Sequence, residues 1–268
     1  MTKILNDCPP TIFIKKNKMK ISILTPTRNN VLTIKQTIDS VLMQDYCDVE
    51  YIVIDGYSED GSGAVIESYR DKISKIIYRR SNSACEAMNF SLRQATGDIV
   101  GSVFGDDFFV DSSILSNVAD CFLDKSVMCV YGDMIYVERE NSKKIIRYWK
   151  SSTYKPGSFY WGWHPTWVAT FYRKEVFEKY GFLTDKFKLA CDYEFLLRTI
   201  HVNKVKTRYL PEVVVHMRAG GSSSRRLKNL LEGNMESCMS WGLNGLKMPL
   251  GFFIYKPLSK FYQYLIRP

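Results

Sequence analysis

The sequence predicts an α/β fold: a mostly parallel central sheet flanked by helices, a smaller antiparallel part, and helices at the C-terminal end. Three observations lead there. Short apolar runs alternate with helical-period stretches four times between Lys20 and Phe104. The runs end at a proline, at an acid with glycine, or at paired arginines. The intervals between them hold whole helical patterns, so consecutive strands are expected to be parallel and joined by crossovers.

KISILTP (20–26) is an apolar run closed by proline, the pattern of a buried strand. Val31, Ile34, Ile38, Val41 and Leu42 then recur at helical spacing. VEYIVIDG (49–56) is a second buried strand, and the polar turn YSEDGSG leads into a helix over 62–70. KIIYRR (75–80) is the third strand, and Ala84, Met88, Leu92 and Ala95 mark one face of the next helix. DIVGSVF (98–104) is the fourth and runs straight into Gly105-Asp106-Asp107. Beyond it, VMCVYGDMIYV (127–137) and KIIRYW (144–149) read as paired antiparallel strands. WVATFYRKEVFEKYGFL (167–183) reads as strand then short helix, CDYEFLLRTIH (191–201) as helix, and VKTRYLPEVVVHM (205–217) as extended chain. The loop AGGSSSRR (219–226) precedes a helix over 225–241.

In a sheet of this kind ligands bind outside the carboxyl ends of the strands. Those ends carry Thr25-Pro26, Asp55-Gly56, Arg79-Arg80 and Gly105-Asp106-Asp107, so acids far apart in sequence are expected to meet on one rim. The stretch VFGDDFFVD then makes sense: a buried strand and its apolar anchor flank two acids that emerge where the strand stops. Oxygen ligands with no His or Cys nearby suit Mg²⁺ or Mn²⁺. A helix cap beginning near Asp111 is the plainer use of the same pair.

The net charge of +9 points to anionic partners. Seven scattered cysteines without a C-x-x-C pair suit reduced thiols in a cytosolic compartment. Residues 1–18 contain Pro9-Pro10 and end in KKNK, the composition of a loose leader and not of a signal peptide. No apolar run approaches the roughly 18–20 residues of a spanning helix.

ISILTPTRN, VEYIVIDGYSEDGS, ACEAMNFSLRQATGDIVGSVFGDDFF, HPTWVATFYRKEVFEKYGFLTDKFKLACDYEFLLR and MRAGGSSS follow one another over residues 20–225. In that order and spacing they resemble the family 2 glycosyltransferases, inverting enzymes with the GT-A nucleotide-diphospho-sugar transferase fold. The resemblance implies a catalytic domain over 19–225 and a helical, basic-aromatic extension over 226–268. It implies that Thr25, Pro26, Arg28 and Asp55 hold the nucleoside of the donor. Asp106 matches the metal-binding acid of the family's D-x-D motif, with Asp107 beside it at the donor. The first acid of that motif is Phe104 here, which leaves a divalent cation (Mn or Mg) resting chiefly on Asp106.

Asp192 matches the family's catalytic base, which takes a proton from the acceptor hydroxyl. Phe195 and Leu196 lie one turn on, on its own face, so the carboxylate is expected to tilt towards the core. An N-cap is the structural alternative. Glu194 reads as a solvated neighbour. His164, among tryptophans in WGWHPTW, suits either an acceptor contact or a packed aromatic cluster. His216 stands where some relatives draw a metal ligand, and Arg218 opens the 219–226 loop, which suits a basic lid over a diphosphate.

The implied partners are a nucleotide-diphospho-sugar, UDP before GDP or dTDP, and a glycan or polyprenyl-diphosphate-linked acceptor of bacterial surface polysaccharide assembly. Residues 222–268 carry seven basic residues against two acids, interleaved with LGFFIY and FYQYLI. This tail reads either as an interfacial helix on an anionic membrane or as a helix packed on its own domain. The expected location is cytoplasmic, including the inner face of the plasma membrane. TPTRNN has no glycine, against a dinucleotide-binding turn or a sugar nucleotidyltransferase. No nucleic-acid motif occurs, so nucleic acid is not an expected partner. A degenerate transferase that binds sugar nucleotide without turnover is the alternative that Phe104 raises.

Overall fold

A computed structural model describes residues 19–220 and 227–268. The expected leader and the serine stretch of the 219–226 loop lie outside the described residues.

The four apolar runs are β1 (Ile21–Thr27), β2 (Val49–Asp55), β3 (Lys75–Tyr78) and β4 (Ile99–Ser102). All are parallel, with β1 between β2 and β4 and with β3 outside β2. Every residue of β1 is buried, which is why its apolar run is unbroken. The crossovers are α1 (Ile34–Leu42), α2 (Ser62–Glu67) and α3 (Ala84–Gln94). They turn Ile34, Ile38, Ile66, Met88 and Leu92 into the core.

The second half continues with β5 (Phe108–Phe109), α4 (Ile114–Cys121), β6 (Cys129–Val137) and β7 (Ile145–Trp149). Then come β8 (Thr170–Arg173), α5 (Lys174–Tyr180), α6 (Cys191–Leu196) and β9 (Thr207–Arg218). A π-helical turn, Leu197–Val202, extends α6. The chain closes with α7 (Leu227–Leu243), α8 (Phe252–Phe261) and a short turn, Tyr262–Tyr264.

The described strands form one sheet in the order β3-β2-β1-β4-β8-β6-β9-β5, with β7 on the side of β6. The expected β6–β7 hairpin is antiparallel. β8 runs antiparallel to both β4 and β6, while β9 lies parallel to β6 and pairs with β5 at the edge. Pro211 does not interrupt β9, because the register with β6 slips between Tyr131 and Asp133, opposite Leu210–Glu212. A bulge is where a strand tolerates a residue without an N–H. Trp241 of α7 and Phe252 of α8 are fully buried and join the main core.

Part of the cysteine set departs from the expectation of reduced thiols. Cys85 and Cys191 are disulfide-bonded across 106 residues, with Cα atoms 6.0 Å apart. The fold brings the first turns of α3 and α6 together, a juxtaposition that sequence spacing does not reveal.

Candidate active site

The carboxyl ends of β1, β2 and β4 meet as the strand order requires. Thr27 is the register partner of Asp55, Gly56 N donates to Thr27 O, and Gly105 N donates to Pro26 O. Two glycines make the approach possible. A Cβ at Gly105 would lie within 2.6 Å of two Thr27 side-chain atoms, and one at Gly56 would crowd the Arg28 stem at 3.2 Å. Asp55 is buried and accepts from both the amide and the hydroxyl of Ser58. Thr25 turns inward to Tyr51 (3.2 Å), Pro26 is buried, and Arg28 is exposed on the rim.

Beside this edge stand the paired acids. Asp106 is partly exposed and forms an ion pair with Arg139 at 3.2 Å. Asp107 is wholly buried, and its Oδ1 accepts from Arg218 N (3.1 Å). Burial pushes the Asp107 carboxyl well above the usual carboxylate range, and the charge of Asp106 adds to the effect. Arg218 is built into the sheet. It is the last residue of β9, buried, and its guanidinium is held by the Asp106 carbonyl and by Gln36 Oε1 over the Phe108 ring. His216, two residues earlier, packs edge-on against Phe108 at 5.2 Å. Burial first, then Arg218, lowers its tendency to take a proton.

Asp192 lies in the first turn of α6, half-buried, with Tyr193 N donating to its Oδ1 at 2.7 Å. Phe195 and Leu196 are buried on the expected face. Three contacts fix this turn. The Cys85–Cys191 bond anchors it to α3. Glu236 of α7 accepts from the amides of Lys188 (2.9 Å), Leu189 and Ala190 (both 2.8 Å). Glu194 corrects the expectation of a solvated acid: it is buried and paired with Arg198 at 2.8 Å. Arg198 also donates to the carbonyls of Tyr180 and Phe182, so the helical i,i+4 pair straps α6 to the preceding loop.

An aromatic wall runs between the acid pair and Asp192. Arg147 lies over Tyr136 (5.1 Å) and Trp149 (4.8 Å). Trp149 meets His164, and His164 meets Tyr193, each at 5.2 Å. The Pro165 carbonyl, which can only accept, lies 2.9 Å from His164 Nδ1 and so places the ring proton there. Burial raises the Tyr136 hydroxyl to about 12, with the charge of Arg147 opposing it. Tyr136 is the register partner of Met217, next to the Arg218 whose amide Asp107 holds.

Residues that sequence reasoning missed are Arg139, Gln36, Tyr57 and Glu236. Tyr57 is half-exposed beside Asp55-Gly56, has φ +59°, and carries Arg80 over its ring at 5.7 Å. Its place directly after an acid-glycine strand end was the available signal. Arg139 sits in the polar stretch ERENSKK, which offers none. Among the described residues no three His, Cys, Asp or Glu side chains gather as a metal cluster. Two surface cavities, about 350 and 400 Å³, are lined by other residues, around His201 and around Trp161.

A family model described as "Glycosyl transferase family 2" matches residues 22–181. A protein of Nostoc, described as an uncharacterised glycosyltransferase, is 27% identical over 77% of this chain and 66% of its own length. The poly(ribitol-phosphate) beta-N-acetylglucosaminyltransferase TarS of Staphylococcus aureus is 31% identical over 40% of this chain and 19% of its own. The chain thus spans no more than about two thirds of either relative. Among solved structures, residues 1–349 of TarS with UDP-GlcNAc superpose with a TM-score of 0.66 and 20% identity, over 84% of this chain and 65% of that one. A mannosyltransferase of Pyrobaculum calidifontis with GDP-Man and Mn²⁺ gives 0.59 and 17%, over 83% and 65%. These likenesses identify the fold as GT-A.

Proposed function

This chain belongs to glycosyl transferase family 2, and we propose that it is a glycosyltransferase that moves a sugar from a nucleotide-diphospho-sugar to an acceptor hydroxyl with inversion. The observation that supports this reading is the chain of packed rings from Tyr136, paired with Met217 beside the Arg218 that Asp107 holds, through Arg147, Trp149 and His164 to Tyr193, the neighbour of Asp192. A UDP-sugar is the proposed donor, as TarS was solved with UDP-GlcNAc. The proposed acceptor is a glycan, including one carried on a polyprenyl diphosphate.

The donor set fits a divalent cation in one way. Asp106 offers one accessible carboxylate and Phe104 offers none, so diphosphate oxygens and waters would complete the shell, as Mg²⁺ and Mn²⁺ accept. Such an ion, when bound, neutralises negative charge on the departing nucleoside diphosphate. Arg139 and Arg218 bring further positive charge to the same edge. Asp55, Arg28 and Tyr57 line the edge proposed for the nucleoside. Asp192 accepts the acceptor hydroxyl proton, and the freed oxygen attacks the anomeric carbon opposite the leaving group. The rings from Tyr136 to Tyr193 give a sugar a flat apolar face and keep water from the base.

The test is release of nucleoside diphosphate from a panel of UDP-, GDP- and dTDP-sugars, with Mn²⁺ and with chelator, and the anomeric configuration of the product by NMR. Cation-stimulated release with an inverted product is expected. A retained configuration, or no turnover with any donor and acceptor extract, contradicts the proposal.

A further inference from the structure

Helix α7 buries Trp241 together with polar side chains and leaves an apolar stripe outside. Its inward residues include Glu236, Ser237 and Ser240, all buried. Its outward positions Leu231, Met235, Met239 and Leu243 recur every fourth residue and are 58%, 63%, 60% and 40% exposed. Ordinary surface helices turn such a stripe inward. The inward polar groups are committed: Glu236 holds three amides ahead of α6, and Ser240 Oγ donates to Glu236 O. The helix therefore cannot roll its apolar stripe inward without abandoning those bonds.

Helix α8 also leaves apolar side chains outside. Phe252 is buried against Trp241, with ring centroids 6.1 Å apart, while Ile254, Leu258 and Phe261 point outward, each at least 60% exposed. Both helices thus back onto the same aromatic pair and present apolar stripes to the outside. Trp161 stands beside them, 62% exposed, with its ring 4.7 Å from Tyr255.

We propose that the outward faces of α7 and α8, with Trp161, dock the protein on an anionic lipid surface. Charge selects this occupant. From 227 to 268 the sequence has five cations, Lys228, Lys247, Lys256, Lys260 and Arg267, and two acids, of which Glu236 is turned inward. A symmetric contact with a second copy would bring together two copies of the same net-positive segment, whereas acidic headgroups complement it. Among the described residues no helix is long and apolar enough to cross a membrane, so the contact lies in the interface, where exposed tryptophan and tyrosine are favoured. Apolar stripe and cations act together, the two signals that stable surface binding requires. None of these outward side chains is assigned a part in the catalytic proposal, and the docking proposal stands or falls independently of it.

The test is sedimentation of the full chain with vesicles of phosphatidylglycerol and phosphatidylcholine in equal parts, against phosphatidylcholine alone. Binding to the acidic vesicles should be at least about tenfold stronger and should weaken with salt. Met239→Glu with Leu258→Glu should lower it by about tenfold or more, with unchanged melting temperature and vesicle-free donor turnover. Should that variant misfold, quenching of Trp161 by brominated lipid, absent in Trp161→Phe, gives the same answer on the native helices. Equal affinity for neutral vesicles, or none for either, overturns the proposal. So does a dimer in sedimentation equilibrium that the same substitutions dissolve.

Discussion

Glu236 should control both stability and turnover, although it lies 44 positions beyond Asp192 and on another helix. Its two oxygens accept from three consecutive amides, Lys188, Leu189 and Ala190, at 2.8–2.9 Å, and the residue is 8% exposed. Removing the carboxylate leaves three backbone donors without that partner. At about 1 kcal/mol for each stranded donor, the low end of the range, Glu236→Ala costs about 3 kcal/mol. Glu236→Gln is milder: the amide oxygen keeps the Leu189 and Ala190 bonds, while its NH₂ faces the Lys188 amide and the charge is gone. About 2 kcal/mol is expected there. Urea unfolding measures both.

The kinetic effect follows from place and not from contact. Ala190 immediately precedes the turn that carries Asp192, and a base misplaced by about 1 Å can lose about a hundredfold in rate. The alanine variant should therefore lower kcat by ten- to a hundredfold while donor affinity stays within about twofold, with the glutamine variant between it and wild type. A Glu236→Ala protein with wild-type unfolding and wild-type kcat would refute the reasoning.

Other expectations concern the acid pair and the disulfide. The folded Asp107 carboxyl is raised above its unfolded value near 3.9, so its contribution to stability is full below about pH 4 and fades as pH climbs through the folded value. Asp107→Asn should flatten that decline in melting temperature as pH rises above about 4, and an unchanged slope would contradict it. Cys191→Ser opens a loop of about a hundred residues and should cost about 2–4 kcal/mol under oxidising conditions and little under reducing ones, read by denaturant unfolding. Arg139→Gln frees Asp106 from a partly exposed ion pair worth about 1 kcal/mol at most. Half-maximal Mn²⁺ for turnover should then fall up to about fivefold, and no shift would argue against Asp106 as the cation's carboxylate.

What the sequence revealed and what it hid divide along physical lines. β1 to β4 were legible because each is a buried parallel strand, whose apolar run is unbroken and whose end must carry the first polar residue. The rim followed from that topology. β5 was hidden because Phe108-Phe109 is too short to show a period, and its pairing with β9 joins residues about a hundred apart. Glu194 was misjudged because an acid in a helix is solvated by default; only its Arg198 partner and the loop carbonyls behind it make burial tolerable. Cys85 and Cys191 show no pattern in sequence, since neither local spacing nor composition records which helix starts abut. Arg139 and Glu236 act through space from stretches whose own chemistry is that of any polar surface.

The most direct measurement compares Asp192→Asn with wild type in donor binding and in single-turnover transfer. Asparagine keeps the shape and the acceptor oxygen for Tyr193 N but cannot take a proton. Donor affinity should remain within about twofold, and transfer should fall by about 10²–10⁴. An asparagine enzyme that transfers at near wild-type rate would mean that the acceptor proton leaves by another route, and that the two acidic regions do not work on one reaction.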